Sequence, residues 1–297
     1  MTCDVFTDTR FGGNPLAVVP DARGLTDAQM QAIAREFNYS EATFVLPPQR
    51  DGDRHVRIFT PAREVPFAGH PNVGTAFVLA SLGELGDLEA ERLVVFEEVS
   101  GDVPVTVRPL GAGRFSCELR APQPLSVGPA LPVELVAAAI GLAPGDLRTH
   151  AHPPQVASVG LAFVVVELVD VAALQRARPD AAALQRLLDM GAATADVHCY
   201  VRTPGAADGY DLRTRMFAPF DGVPEDAATG SANAALAALL TALQPHADVD
   251  CHWRIAQGFE MGRPSRLDAR TEQRGHEVLG VWIAGEAVLV AQGTIEV

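Results

Sequence analysis

The sequence predicts an α+β protein made of two similar, strand-rich halves in which helices are few and central. Three observations predict it. A chain of 297 residues with 48% apolar content is long enough for one large or two ordinary cores. Short β-rich runs bounded by turn residues dominate, with only occasional helical periodicity. Most tellingly, one phrase is written twice: RIFTPAREVPFAGHPN at 57–72 and RMFAPFDGVPEDAATGSAN at 215–233. Each copy runs from an R-x-F-x-P strand to a Gly-His-x-Asn or Gly-Ser-x-Asn turn and then into an apolar, alanine-rich helix. Upstream, the helical pattern 25–37 is answered by 180–190, SEATFV (40–45) by ADVHCYV (195–201), and NPLAVV (14–19), more weakly, by VGLAFVVVEL (159–168). Two long copies make paired domains, not a solenoid.

The elements follow in order. CDVFT, PLAVVP, EATFVL, HVRIFT, RLVVFEEV, VPVTVRPL and RFSCELR read as strands of the first half. A helix over 25–37 starts near Thr26 or Asp27, and a second follows the Gly-His-Pro turn over 71–82. The proline- and glycine-dense text at 121–132 marks a linker. A helix over 132–140 opens on Pro132 and stops at Gly141. The second half then repeats the plan: strand 156–169, helix 180–190 capped by Asp180 and closed by Gly191, strands 195–203 and 211–217, helix 231–243. ANAALAALLTAL is apolar on every face, so it must be buried. The end of the chain alternates around Gly280 and Gly285 as a hairpin pair.

Composition removes several function classes. A formal charge of -14 without a basic cluster opposes nucleic-acid binding. No signal peptide and no apolar run of spanning length is written, so the expectation is a cytoplasmic protein without membrane association. Cys3, Cys117, Cys199 and Cys251 show no C-x-x-C pair and read as reduced, mostly buried thiols; the histidines show no metal spacing stronger than His150-x-His152, taken as surface. Lysine is absent altogether, which removes the Schiff-base nucleophile, the pyridoxal-phosphate anchor and the P-loop lysine.

A strand, a glycine turn and a buried helix together make an anion cradle. The first helical turn leaves amide N–H groups unpaired, the macrodipole adds partial positive charge, and glycine admits close approach. Acid and base candidates cluster at the same places: Glu41 at the head of an apolar strand, His70 in one turn, Asp226 and Ser231 at the other. Each has a bland reading beside the chemical one. Glu41 suits a solvated edge or cap, His70 a bond to a loop carbonyl, and Asp226 and Ser231 ordinary caps. Their co-occurrence at duplicated turns favours chemistry. ATGSAN lacks the G-x-S-x-G elbow, which weakens hydrolysis through Ser231.

At these residues the chain resembles the phenazine-biosynthesis PhzF-like isomerase family, of diaminopimelate-epimerase-like fold. The resemblance runs through DVFTDTRFGGNPLAVV, SEATFV, RIFTPAREVPFAGHPNVG, FAPFDGVPEDAATGSA and QGFEMGRPSRL, nearly the whole length. It implies two pseudo-symmetric barrel-like domains, each around a central helix: 1–121 with 280–297, and 122–279. It further implies an active site in the inter-domain cleft, no cofactor, no metal, a small carboxylate substrate and a homodimer. Carried over, the family's acid/base glutamate falls on Glu41, its histidine on His70, its aspartate on Asp226 and its serine on Ser231, while Gly69 and Gly230 offer backbone amides to the substrate carboxylate. Asn72 stands where a threonine often follows the proline, altering pocket polarity. The implied reaction is isomerisation of a dihydro-hydroxyanthranilate-like cyclic carboxylate. Two alternatives stay open: an epimerase or racemase of a small amino acid, disfavoured as a two-thiol enzyme because the turns read His70 and Ser231, and a non-catalytic binding member of the fold.

Overall fold

The computed structural model describes all residues, Met1–Val297. The chain is α+β and forms two compact units, Met1–Arg120 with Ala284–Val297, and Ala121–Ile283.

In the first unit the strands are β1 (Thr2–Val5), β2 (Asn14–Val19), β3 (Ala42–Leu46), β4 (Arg54–Phe59), β5 (Glu64–Val65), β6 (Arg92–Glu98), β7 (Gly101–Gly111) and β8 (Arg114–Arg120). β1 pairs antiparallel with β2, β2 parallel with β3, β3 antiparallel with β4, and β4 parallel with β6. The antiparallel pairs β6–β7 and β7–β8 continue the circuit, which the last strand of the chain closes by pairing with both β8 and β1. The result is a closed eight-stranded barrel, without free edges.

Two helices serve it. α1 (Asp27–Phe37) is amphipathic, burying Met30, Ile33 and Ala34 at helical spacing, and Thr26 and Gln29 form a reciprocal capping box at its start. α2 (Gly69–Ser81) is apolar all round, is buried from His70 to Ala80, and packs against β1, β2, β3, β7 and β8. It is the axis of the barrel. Gly74 permits that approach, because a Cβ there would stand 2.5 Å from Leu16 Cδ2 and 2.7 Å from Val5 Cγ2.

The second unit contains β9 (Ser126–Ala130), β10 (Leu147–Arg148), β11 (Gln155–Ser158), β12 (Ala162–Leu168), β13 (Val197–Arg202), β14 (Leu212–Ala218), β15 (Val223–Asp226), β16 (Val249–Gln257) and β17 (Ser265–Arg274). Its helices are α3 (Val133–Ala139), α4 (Val171–Arg176), α5 (Ala181–Asp189) and α6 (Gly230–Ala242). The parallel pairs β12–β13 and β14–β16 and the antiparallel pair β13–β14 repeat the order β2–β3–β4–β6. α6 repeats α2: buried along its length and packed on β11, β12, β16 and β17. α3, α4 and α5 cover a second apolar cluster that includes Val164, Val166, Leu184, Leu187 and Phe217. Asp170 and Asp180 cap α4 and α5 by accepting from the backbone N–H of Ala173 and Ala183.

The repeat extends to single side chains. Arg57 on β4 grips Glu64 with two bonds of 2.7 Å and lies over Phe59; Arg215 on β14 grips Glu225 at 2.7 and 2.8 Å and lies over Phe217. The R-x-F of each duplicated phrase is thus a bidentate clamp between a strand and the segment leading to the glycine turn.

Three sequence expectations are corrected. The 121–132 stretch contains β9, which pairs with β11; the exposed, one-sided pairing of this strand tolerates Pro129. The chain's end is one strand, β18 (Glu277–Ala291), not a hairpin pair, because the Trp282 ring lies over Gly280 and fills the gap its missing side chain leaves. His152 is buried at 4% exposure, not on the surface: its Nε2 meets Tyr200 Oη at 2.8 Å and its Nδ1 meets Pro153 O at 2.7 Å. His150 is exposed.

Candidate functional site

Neither central helix has a side-chain cap at its start: Ala68 and Thr229 occupy the N-cap positions in extended conformation without a side-chain bond to the first turn. Instead, a buried asparagine at the fourth helical position reaches back to the cap carbonyl in both. Asn72 Nδ2 donates to Ala68 O at 2.9 Å, and Asn233 Nδ2 to Thr229 O at 3.0 Å. This fixes the chain's entry into the helix without a side-chain cap on the first turn.

In the first unit the structure brings Glu41 and His70 together. Glu41 immediately precedes β3, its Oε2 is buried without a hydrogen bond of ordinary length, and His70 Nε2 lies 3.6 Å from it. On the far side of the ring, Asn14 Nδ2 lies 3.5 Å from His70 Nδ1, and Ser40 Oγ lies 3.5 Å from Asn14 Oδ1. An amide nitrogen only donates, so a bond from Asn14 to Nδ1 requires the His70 proton on Nε2, facing Glu41. Burial pushes the Glu41 carboxyl above its usual range, opposed by a hydrogen bond from Ser40. A carboxyl raised in this way is a stronger proton acceptor than an ordinary carboxylate.

In the second unit Asp226 ends β15, and Gly230 and Ser231 open α6. Thr229 Oγ1 donates to Asp226 Oδ2 at 2.6 Å, so neither Asp226 nor Ser231 is the helix cap. Gln257, at the end of β16, binds the turn from behind. Its Oε1 accepts from Asn233 Nδ2 at 2.7 Å and Thr229 N at 3.1 Å, while its Nε2 donates to Asp226 O at 2.9 Å and Thr229 Oγ1 at 3.0 Å. His198 Nε2 then meets Asn233 Oδ1 at 3.1 Å. Burial holds His198 down at about 4, against a raising contribution from Asn233, so it is neutral.

Sequence reasoning passed over three chemistry-bearing groups. Asp196 immediately precedes β13 as Glu41 precedes β3, and burial, reinforced by Asp221, raises it to about 6. The pairing of SEATFV with ADVHCYV already superposed the two acids. Gln257 lies in the quoted QGFEMGRPSRL stretch but has no titratable group to draw notice. Glu98 ends β6 with both oxygens buried. No group of three or more His, Cys, Asp and Glu side chains is arranged to hold a metal ion, and no helix is long and apolar enough to cross a membrane.

With this geometry in view, comparison with known proteins decides the family. The model for phenazine biosynthesis-like (PhzC-PhzF) proteins matches residues 3–293. The chain belongs to the PhzC-PhzF family. A trans-2,3-dihydro-3-hydroxyanthranilate isomerase of Pseudomonas aeruginosa is 39% identical over 290 residues, covering 98% of this chain and 96% of the relative. The crystal structure of a Bacillus anthracis PhzF-family phenazine biosynthesis protein superposes with a TM-score of 0.88 at 26% identity, covering 100% and 98% of the two chains. A hydroxyproline epimerase from Agrobacterium vitis shares the fold at 18% identity and a TM-score of 0.57, covering 98% and 91%. This PhzC-PhzF member is accordingly an enzyme of the isomerase class.

Proposed function

We propose that the protein is a cofactor-independent isomerase that moves a proton on a small cyclic amino carboxylate of the dihydro-hydroxyanthranilate class. The observation that carries the reading is the buried Glu41 carboxyl, raised by burial and 3.6 Å from the Nε2 of His70 at the start of α2. Glu41 takes a proton from one ring carbon, exchanges it with solvent, and delivers a proton to another ring carbon. His70, held as the Nε2–H tautomer by Asn14, orients the carboxylate and stabilises it while it is ionised. The amides at Gly69 and Gly230, with Asn72 shaping the first turn, take the substrate carboxylate, and Asp226 and Ser231 hold its polar substituents. The lysine-free sequence supports the cofactor-independent part so far as pyridoxal phosphate is concerned. The same reading includes a homodimer in the cytoplasm, which sedimentation and cell fractionation test.

The experiment is incubation of the purified enzyme, dialysed against chelator, with trans-2,3-dihydro-3-hydroxyanthranilate in D2O, followed by proton NMR. Double-bond migration with one deuterium incorporated supports the proposal, and unchanged substrate overturns it.

A second reading, epimerisation of a small amino acid, has one observation in its favour: Asp196 occupies the Glu41 position of the second repeat and is raised to about 6. Inversion of a chiral amino acid without double-bond migration is the result that selects it.

A further inference from the structure

Strand register identifies Glu98 as the counterpart of Gln257. On β4–β6 the parallel partners are Arg54 with Phe96 and His55 with Glu97; on β14–β16 they are Leu212 with Ile255 and Arg213 with Ala256. The next position is Glu98 in one unit and Gln257 in the other, each the last residue of its strand. Gln257 is fully bonded, accepting from Asn233 and Thr229 N and donating to Asp226 O and Thr229 Oγ1. Glu98 is 6% exposed, and neither carboxyl oxygen makes a hydrogen bond of ordinary geometry.

The surroundings explain the difference. At the positions of His198, Thr214, Thr229 and Asp226 the first unit has Thr43, Val56, Ala68 and Val65. Three of these lack a polar side chain, and Thr43 spends its hydroxyl on Thr75 at 2.8 Å. Of the polar set, the buried asparagine survives as Asn72, whose Oδ1 is buried and unbonded.

A neutral carboxylic acid has the shape of the glutamine it replaces and keeps one donor beside an acceptor, enough here because Ala68 removes the second acceptor that Thr229 Oγ1 offers Gln257; a carboxylate has no donor at all. We propose that Glu98 is a positioning residue of the α2 turn that works in its neutral form, holding Asn72 and the Val65 carbonyl as Gln257 holds Asn233 and the Asp226 carbonyl, so that carboxylate binding at this turn is lost when Glu98 ionises. Burial raises Glu98 to about 8, opposed by Asn72. Charged neighbours are committed elsewhere. Glu97 accepts from the backbone N–H of Gln49, Arg50 and Gly52, and Asp102 of β7 pairs with Arg50. Arg108 of β7 is taken by Glu91 and Glu118, and on β4 Arg54 binds Glu84, His55 meets Gln49 and Arg57 binds Glu64. From α2 the one titratable group is His70, beside Glu41. An ionised Glu98 therefore stands uncompensated behind the turn that, in the proposed function, takes the substrate anion, and the two negative charges oppose each other.

This inference rests on the proposal that the α2 turn binds the substrate carboxylate. The test uses the full-length protein with 3-hydroxyanthranilate as a stable probe, its affinity measured by calorimetry from pH 6 to 9.5, alongside the ¹³C titration of the Glu98 carboxyl, assigned by its loss in Glu98→Gln. The expected result is a neutral Glu98 at pH 6 and an affinity that weakens about tenfold per pH unit once Glu98 ionises. Glu98→Gln keeps the neutral-pH affinity and abolishes the alkaline loss, whereas Glu98→Ala weakens binding at every pH and raises KM more than it lowers kcat. An ionised Glu98 at pH 6, the same alkaline loss in Glu98→Gln, or no probe binding by the wild type across the range overturns the proposal. Undiminished solvent exchange in Glu41→Gln removes the proposed base but leaves these readouts standing, so the two failures are distinguishable.

Discussion

Replacing Arg215 by methionine tests whether the duplicated R-x-F clamps hold the turns in place. The Arg215 side chain is 2% exposed; its Nε and Nη2 bind Glu225 at 2.7 and 2.8 Å, and its Nη1 binds the carbonyls of Leu174 and Ala177, both at 2.8 Å. Methionine keeps most of the volume but strands a carboxylate and two buried carbonyls. Breaking a buried pair by removing one partner costs about 3–5 kcal/mol. For a domain of this size that lowers Tm by roughly 6–20 °C. Arg57→Met is the internal control. That side chain is 17% exposed and its partner Glu64 is 29% exposed, so water re-solvates what is left and the cost falls to about 1 kcal/mol. Thermal melts and urea titrations of both variants read the difference. Equal losses at the two positions would refute the reasoning, because burial would then not be what makes one clamp matter more.

Other expectations follow from the same contacts. Asn72→Ala removes the bond to Ala68 O and the contact with Glu98 and costs roughly 1–2 kcal/mol, whereas Asn233→Ala removes bonds to Thr229 O, Gln257 and His198 and costs roughly 2–4 kcal/mol by urea titration. His198 is held at about 4 in the folded state against 6.5 when unfolded, so below pH 6.5 the unfolded chain takes up a proton that the folded one refuses. Stability therefore falls as pH drops from about 6.5 to about 4, by up to roughly 3 kcal/mol from this residue. His198→Gln flattens that slope, and urea midpoints at pH 7, 6 and 5 that run parallel to the wild type contradict the assignment.

What could be read before the structure depended on whether a signal was local. The α1 start was legible because Thr26 and Gln29 sit three apart and cap each other, and the α5 start because Asp180 precedes an apolar period. Gly280 misled because a glycine in an alternating run ordinarily marks a turn, and only the position of Trp282 shows that the strand continues. The Glu41–His70 contact was legible as two residues but not as a pair, since 29 positions separate them and the parallel β2–β3 pairing sets the strand Glu41 precedes against the barrel's inner helix. Glu98 was hidden by its neighbour. Adjacent glutamates in RLVVFEEV look like a solvated strand end, yet Glu97 is consumed by backbone N–H groups and Glu98 is enclosed. Which of two such acids is satisfied depends on the 49–52 loop, far away in sequence.

The central claim is that the Glu41 carboxyl carries the proton. It is tested most directly by the rate of deuterium wash-in from D2O into trans-2,3-dihydro-3-hydroxyanthranilate, measured for the wild type and for Glu41→Gln. The account predicts a loss of about 10²- to 10⁴-fold in the variant with the fold and probe affinity retained. Exchange at the wild-type rate in Glu41→Gln contradicts it.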